Sequence, residues 1–168
     1  MYTADTGTLI LTPSDLVSFA ECQHTTTLDL GVAHGESPRP FRHDPTLDLI
    51  RRKGLEHEAR LLDTYKTQGK SVALLARPAT ANAQDLRSSA DETLAAMRSG
   101  AEVIYQGTLF DGRWLGHPDF LIRVDRPSEL DGWSYEAAES KLALYAKPSA
   151  LLQLCAYSAG LALLQGNT

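Results

Sequence analysis

The chain has 168 residues, of which 43% are hydrophobic and 22% charged, with a formal net charge of −5; this suits one soluble domain with a single core. No apolar run approaches the roughly 20 residues of a membrane helix, no basic segment followed by a long apolar one opens the chain, and two cysteines exclude a disulfide framework and favour a reduced, cytoplasmic setting. The acidic balance excludes a global basic footprint for nucleic acid, but not nucleic acid itself, because a bound metal supplies positive charge locally.

In chain order, residues 12–30 are predicted as an N-terminal helical segment, with Thr12 or Ser14 as cap and Leu16, Phe19 and Ala20 as an apolar stripe. Residues 31–45, rich in Gly, Pro and His, are expected to form a loop. A long helix is predicted from Thr46 to about Gln68, its inner face made by Leu47, Ile50, Gly54, Leu55, Leu61, Leu62 and Tyr65, with Gly69 as its stop. A short buried strand follows over 71–76, then an amphipathic helix over 81–100 with Leu86, Leu94 and Met97 inward and Gly100 at its end. Residues 101–124 read as a hairpin turning at Asp111-Gly112. After a loop, 134–144 is the next strand, and Pro148 opens a last helix. This order predicts an α/β fold: a mixed central sheet flanked by helices, a single domain over 1–168 with its core in 46–166.

Charged residues inside apolar strands carry the chemistry. Asp119 stands between Pro118 and the run Phe120–Val124, while Glu139 and Lys141 stand two apart on the following strand and so are expected on one side of it. If the two strands pair, the carboxylates of Asp119 and Glu139 converge, and they repel unless a cation lies between them. An oxygen-rich site of this kind suits Mg²⁺ or Mn²⁺. Lys141, one pleat on, is placed to stabilise an anionic transition state. His24, His34, His43 and His117 show no ligand spacing with one another and are read as surface or loop residues, and Trp114 and Trp133 as packing residues.

Pro118-Asp119 followed by Glu139-Ser140-Lys141 resembles the PD-(D/E)xK signature of the restriction-endonuclease-like nucleases. Three further segments, in the right order, resemble the RecB-like branch of that superfamily. They are SDLVSFAECQH at 14–24, Gly54 with His57 on the first long helix, and Gln153 with Tyr157 on the last. As a set spanning nearly the whole chain, they are similar to the bacterial RecB-like nucleases that often precede a helicase domain. The resemblance implies a restriction-endonuclease-like core and a divalent-metal-dependent DNA nuclease, exonuclease-like, acting on single strands or ends in repair, recombination or defence. It implies His57, Asp119 and Glu139 as metal ligands joined by the Ser140 carbonyl, and Lys141 as the catalytic lysine. Gln153 and Tyr157 would hold the lysine or a DNA phosphate, and Glu58 would be an alternate ligand or support one.

Arg51, Arg52 and Lys53, one turn before His57, would guide the phosphate backbone, although their plainer reading is a solvated helix face. Cys22 matches the first of four cysteines that hold an iron–sulfur cluster in some members. The other three have no counterpart, since Cys155 falls within the Gln153–Tyr157 helix. The resemblance therefore implies either loss of the cluster or a piece of a longer nuclease–helicase protein, truncated at its C-terminal end. In the second case an iron–sulfur cluster and further strands would belong to the longer chain, and the sheet edge here would be unfinished. The alternative is a catalytically inactive nucleic-acid-binding or docking module of the same fold.

Overall fold

A computed structural model describes residues 1–40, 43–143 and 145–166. Phe41 and Arg42 of the predicted loop, Leu144 at the end of the predicted strand, and Asn167 and Thr168 lie outside the described residues. The chain opens with a small antiparallel pair, β1 (Tyr2–Thr3) and β2 (Leu9–Ile10), which carries no clear strand signal in the sequence. The N-terminal helical segment is two helices, α1 (Pro13–Glu21) and α2 (Gln23–Ala33), separated by the extended backbone of Cys22. Asp15 starts the first of them by accepting from the Thr12 N–H at 2.7 Å and its hydroxyl at 2.8 Å. The second helix runs three residues into the stretch expected as loop.

The long helix α3 (Pro45–Thr67) is capped by the Asp44 side chain, which accepts from Thr46 N–H at 2.9 Å. After it come β3 (Val72–Leu74) and α4 (Ala83–Arg98), the latter capped by Asn82. The next strands are β4 (Val103–Tyr105), β5 (Leu109–Phe110), β6 (Leu115–Gly116), β7 (Phe120–Val124) and β8 (Ser134–Ala138), and α5 (Pro148–Gln165) follows.

Four strands form one sheet in the order β3-β4-β7-β8. β3 and β4 run parallel, and the other neighbours are antiparallel, so the sheet is mixed as expected. The predicted hairpin is present in two stages. β4 and β7 pair from Val103↔Ile122 to Tyr105↔Phe120, and the tip closes as the separate ribbon β5–β6. At that tip Gly112 takes φ 101°, and the Asp111 carboxylate accepts from the N–H groups of Arg113 and Trp114 at 2.8 and 2.6 Å.

Strand alternation divides the core. Val103 and Phe120 face α3 and meet Leu62, while Ile104, Leu121 and Tyr135 face the other way and meet Met97 of α4 with Tyr157 and Leu161 of α5. Helices thus cover both faces of the sheet. Phe120 and Leu121 are fully buried, and such burial contributes about 1.5–3 kcal/mol per side chain.

Two expectations change. Leu47, Ile50 and Leu55 are not on an inner face: they are 49, 54 and 62% exposed, and the buried residues of α3 are Glu58 and Leu62. The reason is that the sheet underlies only the C-terminal half of this helix, where Leu61, Leu62 and Tyr65 join the core. The strand predicted over 134–144 ends at Ala138, because the Ser140 N–H is taken by the Asp119 carboxylate at 2.8 Å instead of by a ladder. β8 is an edge strand of the sheet, covered at one residue. The Gln165 side chain accepts from the Tyr135 N–H and donates to the Tyr135 carbonyl, the latter at 3.3 Å, and so occupies the position of one more strand residue.

Candidate functional site

Asp119 immediately precedes β7 and Glu139 immediately follows β8. The register Phe120↔Ala138 therefore sets the two opposite each other at one end of the sheet. Short contacts lock the arrangement. The Asp119 N–H donates to Glu139 Oε1 at 3.2 Å, Ser140 N–H to Asp119 Oδ2 at 2.8 Å, and the Lys141 ammonium to Glu139 Oε2 at 2.7 Å.

From above the sheet, α3 brings Glu58, 7% exposed, whose Oε1 accepts from Gln106 Nε2 at 3.2 Å. Arg51, Gly54, Leu55 and Glu58 recur at helical spacing along one side of α3, and with Asp119, Ser140 and Lys141 they line an open cleft of about 370 Å³.

Burial holds the Asp119 carboxyl above the usual carboxylate range. The Glu139 charge adds to this and Glu58 pushes the same way, while the Ser140 N–H and Lys141 pull it back. A carboxyl whose folded pKa is raised favours the fold in its protonated form. Its ionisation therefore costs stability at neutral pH, and the cost is relieved as pH falls through the raised value. Asp119→Asn, which keeps an oxygen for the Ser140 N–H, is expected to raise the melting temperature at pH 7 modestly, by less than about 4 °C in a domain this long. The gain should shrink in acid, and scanning calorimetry at pH 7 and pH 4 would check both.

Burial, followed by the charges of Glu139 and Asp119, likewise raises the Tyr157 phenol, though the side chain lines an apolar cavity with Leu109 and Gly116 and not the cleft. Its ring packs against Gly116, where a Cβ would come within 2.8 Å of two ring carbons. Tyr105 is pushed up to about 12 by burial and by Glu58. His117 is not a surface residue: it is half-buried, its Nδ1 lies 3.3 Å from the Thr108 hydroxyl, and burial lowers its pKa to about 4.

Of the predicted residues, the structure brings together Asp119, Glu139, Ser140, Lys141 and Glu58, with Arg51 at the cleft, while Tyr157 lines a separate apolar cavity. His57 is half-buried on α3, one residue around the helix from Glu58, and is not among the described residues that line the cleft. Arg52 and Lys53 are exposed, and Lys53 pairs with Glu56 at 2.8 Å. Gln153 is half-buried on α5 and makes no side-chain hydrogen bond among the described residues. Tyr105 and Gln106 are the residues that sequence reasoning missed. Tyr105 reads as a plain strand aromatic, and the backbone turn at Gln106 has no compositional signal.

Among the described residues, no three His, Cys, Asp or Glu side chains converge closely enough to hold a metal ion. The donor chemistry nevertheless suits a hard cation. Asp119 and Glu139 stand side by side with Glu58 near enough for its charge to act on Asp119, and all three offer carboxylate oxygen. An iron–sulfur cluster does not fit these residues. Cys22 and Cys155 are exposed on separate elements, and such a cluster commonly takes four thiolates. No helix among the described residues is long and apolar enough to cross a membrane. Comparison with protein-family models, with curated proteins and with solved structures returns no significant match.

Proposed function

We propose that the chain is a divalent-metal-dependent DNA nuclease of the PD-(D/E)xK superfamily, RecB-like in its motifs, built on a restriction-endonuclease-like core. The observation that carries this reading is the apposition of Asp119 and Glu139 across the ends of β7 and β8, with the Lys141 ammonium 2.7 Å from Glu139. Asp119 and Glu139 would hold Mg²⁺ or Mn²⁺, with Glu58 as the acid nearest to them on α3, while His57 would need to turn toward the cleft to join. The cation, when bound, would supply Lewis-acid chemistry at the scissile phosphate. The Ser140 N–H orients the Asp119 carboxylate, Lys141 stabilises negative charge developing on the phosphoryl oxygens, and Arg51 receives a backbone phosphate at the cleft mouth. Single strands or DNA ends are the substrate of this reading, and a helicase the partner.

Incubation of the protein with end-labelled single- and double-stranded DNA should give cleavage in Mg²⁺ or Mn²⁺ and none in EDTA. Intact DNA under both metals would overturn the assignment. Two observations favour a second reading, a non-cleaving DNA-binding module: among the described residues no three metal ligands converge, and Lys141 is tied to Glu139. That module would retain DNA in a salt-dependent way without cutting it.

A further inference from the structure

Gln106 is the one non-glycine residue with a left-handed backbone among the described residues, at φ 57°. Residues with side chains rarely adopt this conformation, and where they do the surrounding contacts over-determine it. Gln106 sits where the β4–β7 ladder gives way, and its backbone N–H donates to the Asp119 carbonyl at 2.9 Å. Its side-chain Nε2 reaches the other way, 3.2 Å from Glu58 Oε1 and 3.0 Å from the Tyr105 hydroxyl. One residue thus links the strand end that carries Asp119 to the buried carboxylate of α3.

The chemistry of that link is selective. A lysine or arginine at this place would hold Glu58 equally well but would neutralise it and compete with a cation for its oxygens. An amide holds one oxygen and leaves the charge intact. The Tyr105 hydroxyl also lies against Glu58, which lines the cleft.

We propose that Gln106 is a positioning residue that presents Glu58 as the α3 donor to the cation bound by Asp119 and Glu139. This rests on the metal-dependent reading above. A merely structural turn would make a different demand, because glycine adopts φ 57° without strain and would serve it better.

Gln106→Gly separates the two roles. The variant should remain folded without metal, relief of the left-handed backbone offsetting part of the lost hydrogen bond to Glu58. Its Mn²⁺ affinity, measured by titration calorimetry, should fall about 10–100-fold, the usual loss when a residue supporting a metal ligand is removed. Gln106→Asn tolerates the same backbone and keeps the amide but is one methylene too short to reach Glu58. It should also lose affinity, and it covers the case in which the glycine variant fails to fold. Glu58→Gln should weaken Mn²⁺ binding at least as much. Parental Mn²⁺ affinity in a folded Gly or Asn variant would overturn the role of Gln106 while leaving the metal site standing. Absence of Mn²⁺ binding by the parent protein would overturn the metal site, and the role of Gln106 with it.

Discussion

Lys141→Ala and Asp119→Ala should each reduce Mg²⁺- or Mn²⁺-dependent DNA cleavage by about a hundredfold or more while leaving the fold intact. Removing one preorganised electrostatic contact to a developing anion costs on the order of 100–1,000-fold in rate. Lys141 meets the conditions for such a contact. Its ammonium is held 2.7 Å from Glu139, and its side chain is 46% exposed, so truncation creates no cavity. Asp119 is the more buried partner, yet its loss removes a carboxyl that Glu139 and Glu58 already disfavour in the charged form. Thermal melting of both variants should stay within a few degrees of the parent while cleavage on gels disappears. Undiminished cleavage in both would remove Asp119 and Lys141 from the chemistry. Loss of cleavage together with the fold in one variant would leave the other to decide.

Gln165→Ala should destabilise the protein by about 2–4 kcal/mol, read as a lower urea midpoint at unchanged slope. Gln165 is 4% exposed at the end of α5 and satisfies both backbone groups of Tyr135 on the edge strand β8. Alanine would leave a buried N–H and a buried carbonyl without partners, at a cost of roughly 1–3 kcal/mol each when water cannot reach them. The Gln165 carbonyl also accepts from Glu129 N–H at 2.9 Å, a backbone contact that alanine preserves, so the loss reports the side chain alone. Gln165→Glu makes a sharper comparison, because it swaps the amide donor for an oxygen facing the Tyr135 carbonyl and should be at least as damaging. A change under about 0.5 kcal/mol in the alanine variant would show that water or another group takes over the edge.

The long elements were legible before any coordinates. Helices α3, α4 and α5 start within two residues of their predicted starts, because capping residues and proline at the first turn are local signals. The apolar run Phe120–Val124 and the Asp111-Gly112 turn announced the hairpin for the same reason. Burial was less legible. Leu47, Ile50 and Leu55 have the spacing of an inner face, but spacing cannot say how far along a helix the sheet extends.

The sequence by itself pointed to Asp119, Glu139, Ser140 and Lys141 as a group, through charged residues in apolar strands and the resemblance of these residues to one signature; that the two strands pair and set them together is seen in the structure. Which residue of α3 faces that site was decided only by the tertiary structure. His57 and Glu58 are neighbours in the chain, about 100° apart around the helix, and the roll of α3 over Val103 and Phe120 brings Glu58 to the cleft. The left-handed turn at Gln106 and the Gln165 cover on β8 were likewise beyond the sequence. Both join elements that meet only once the chain has folded: α3 with the end of β4, and α5 with the edge of the sheet. Contacts of this kind depend on three-dimensional placement, and neither composition nor periodicity encodes it locally.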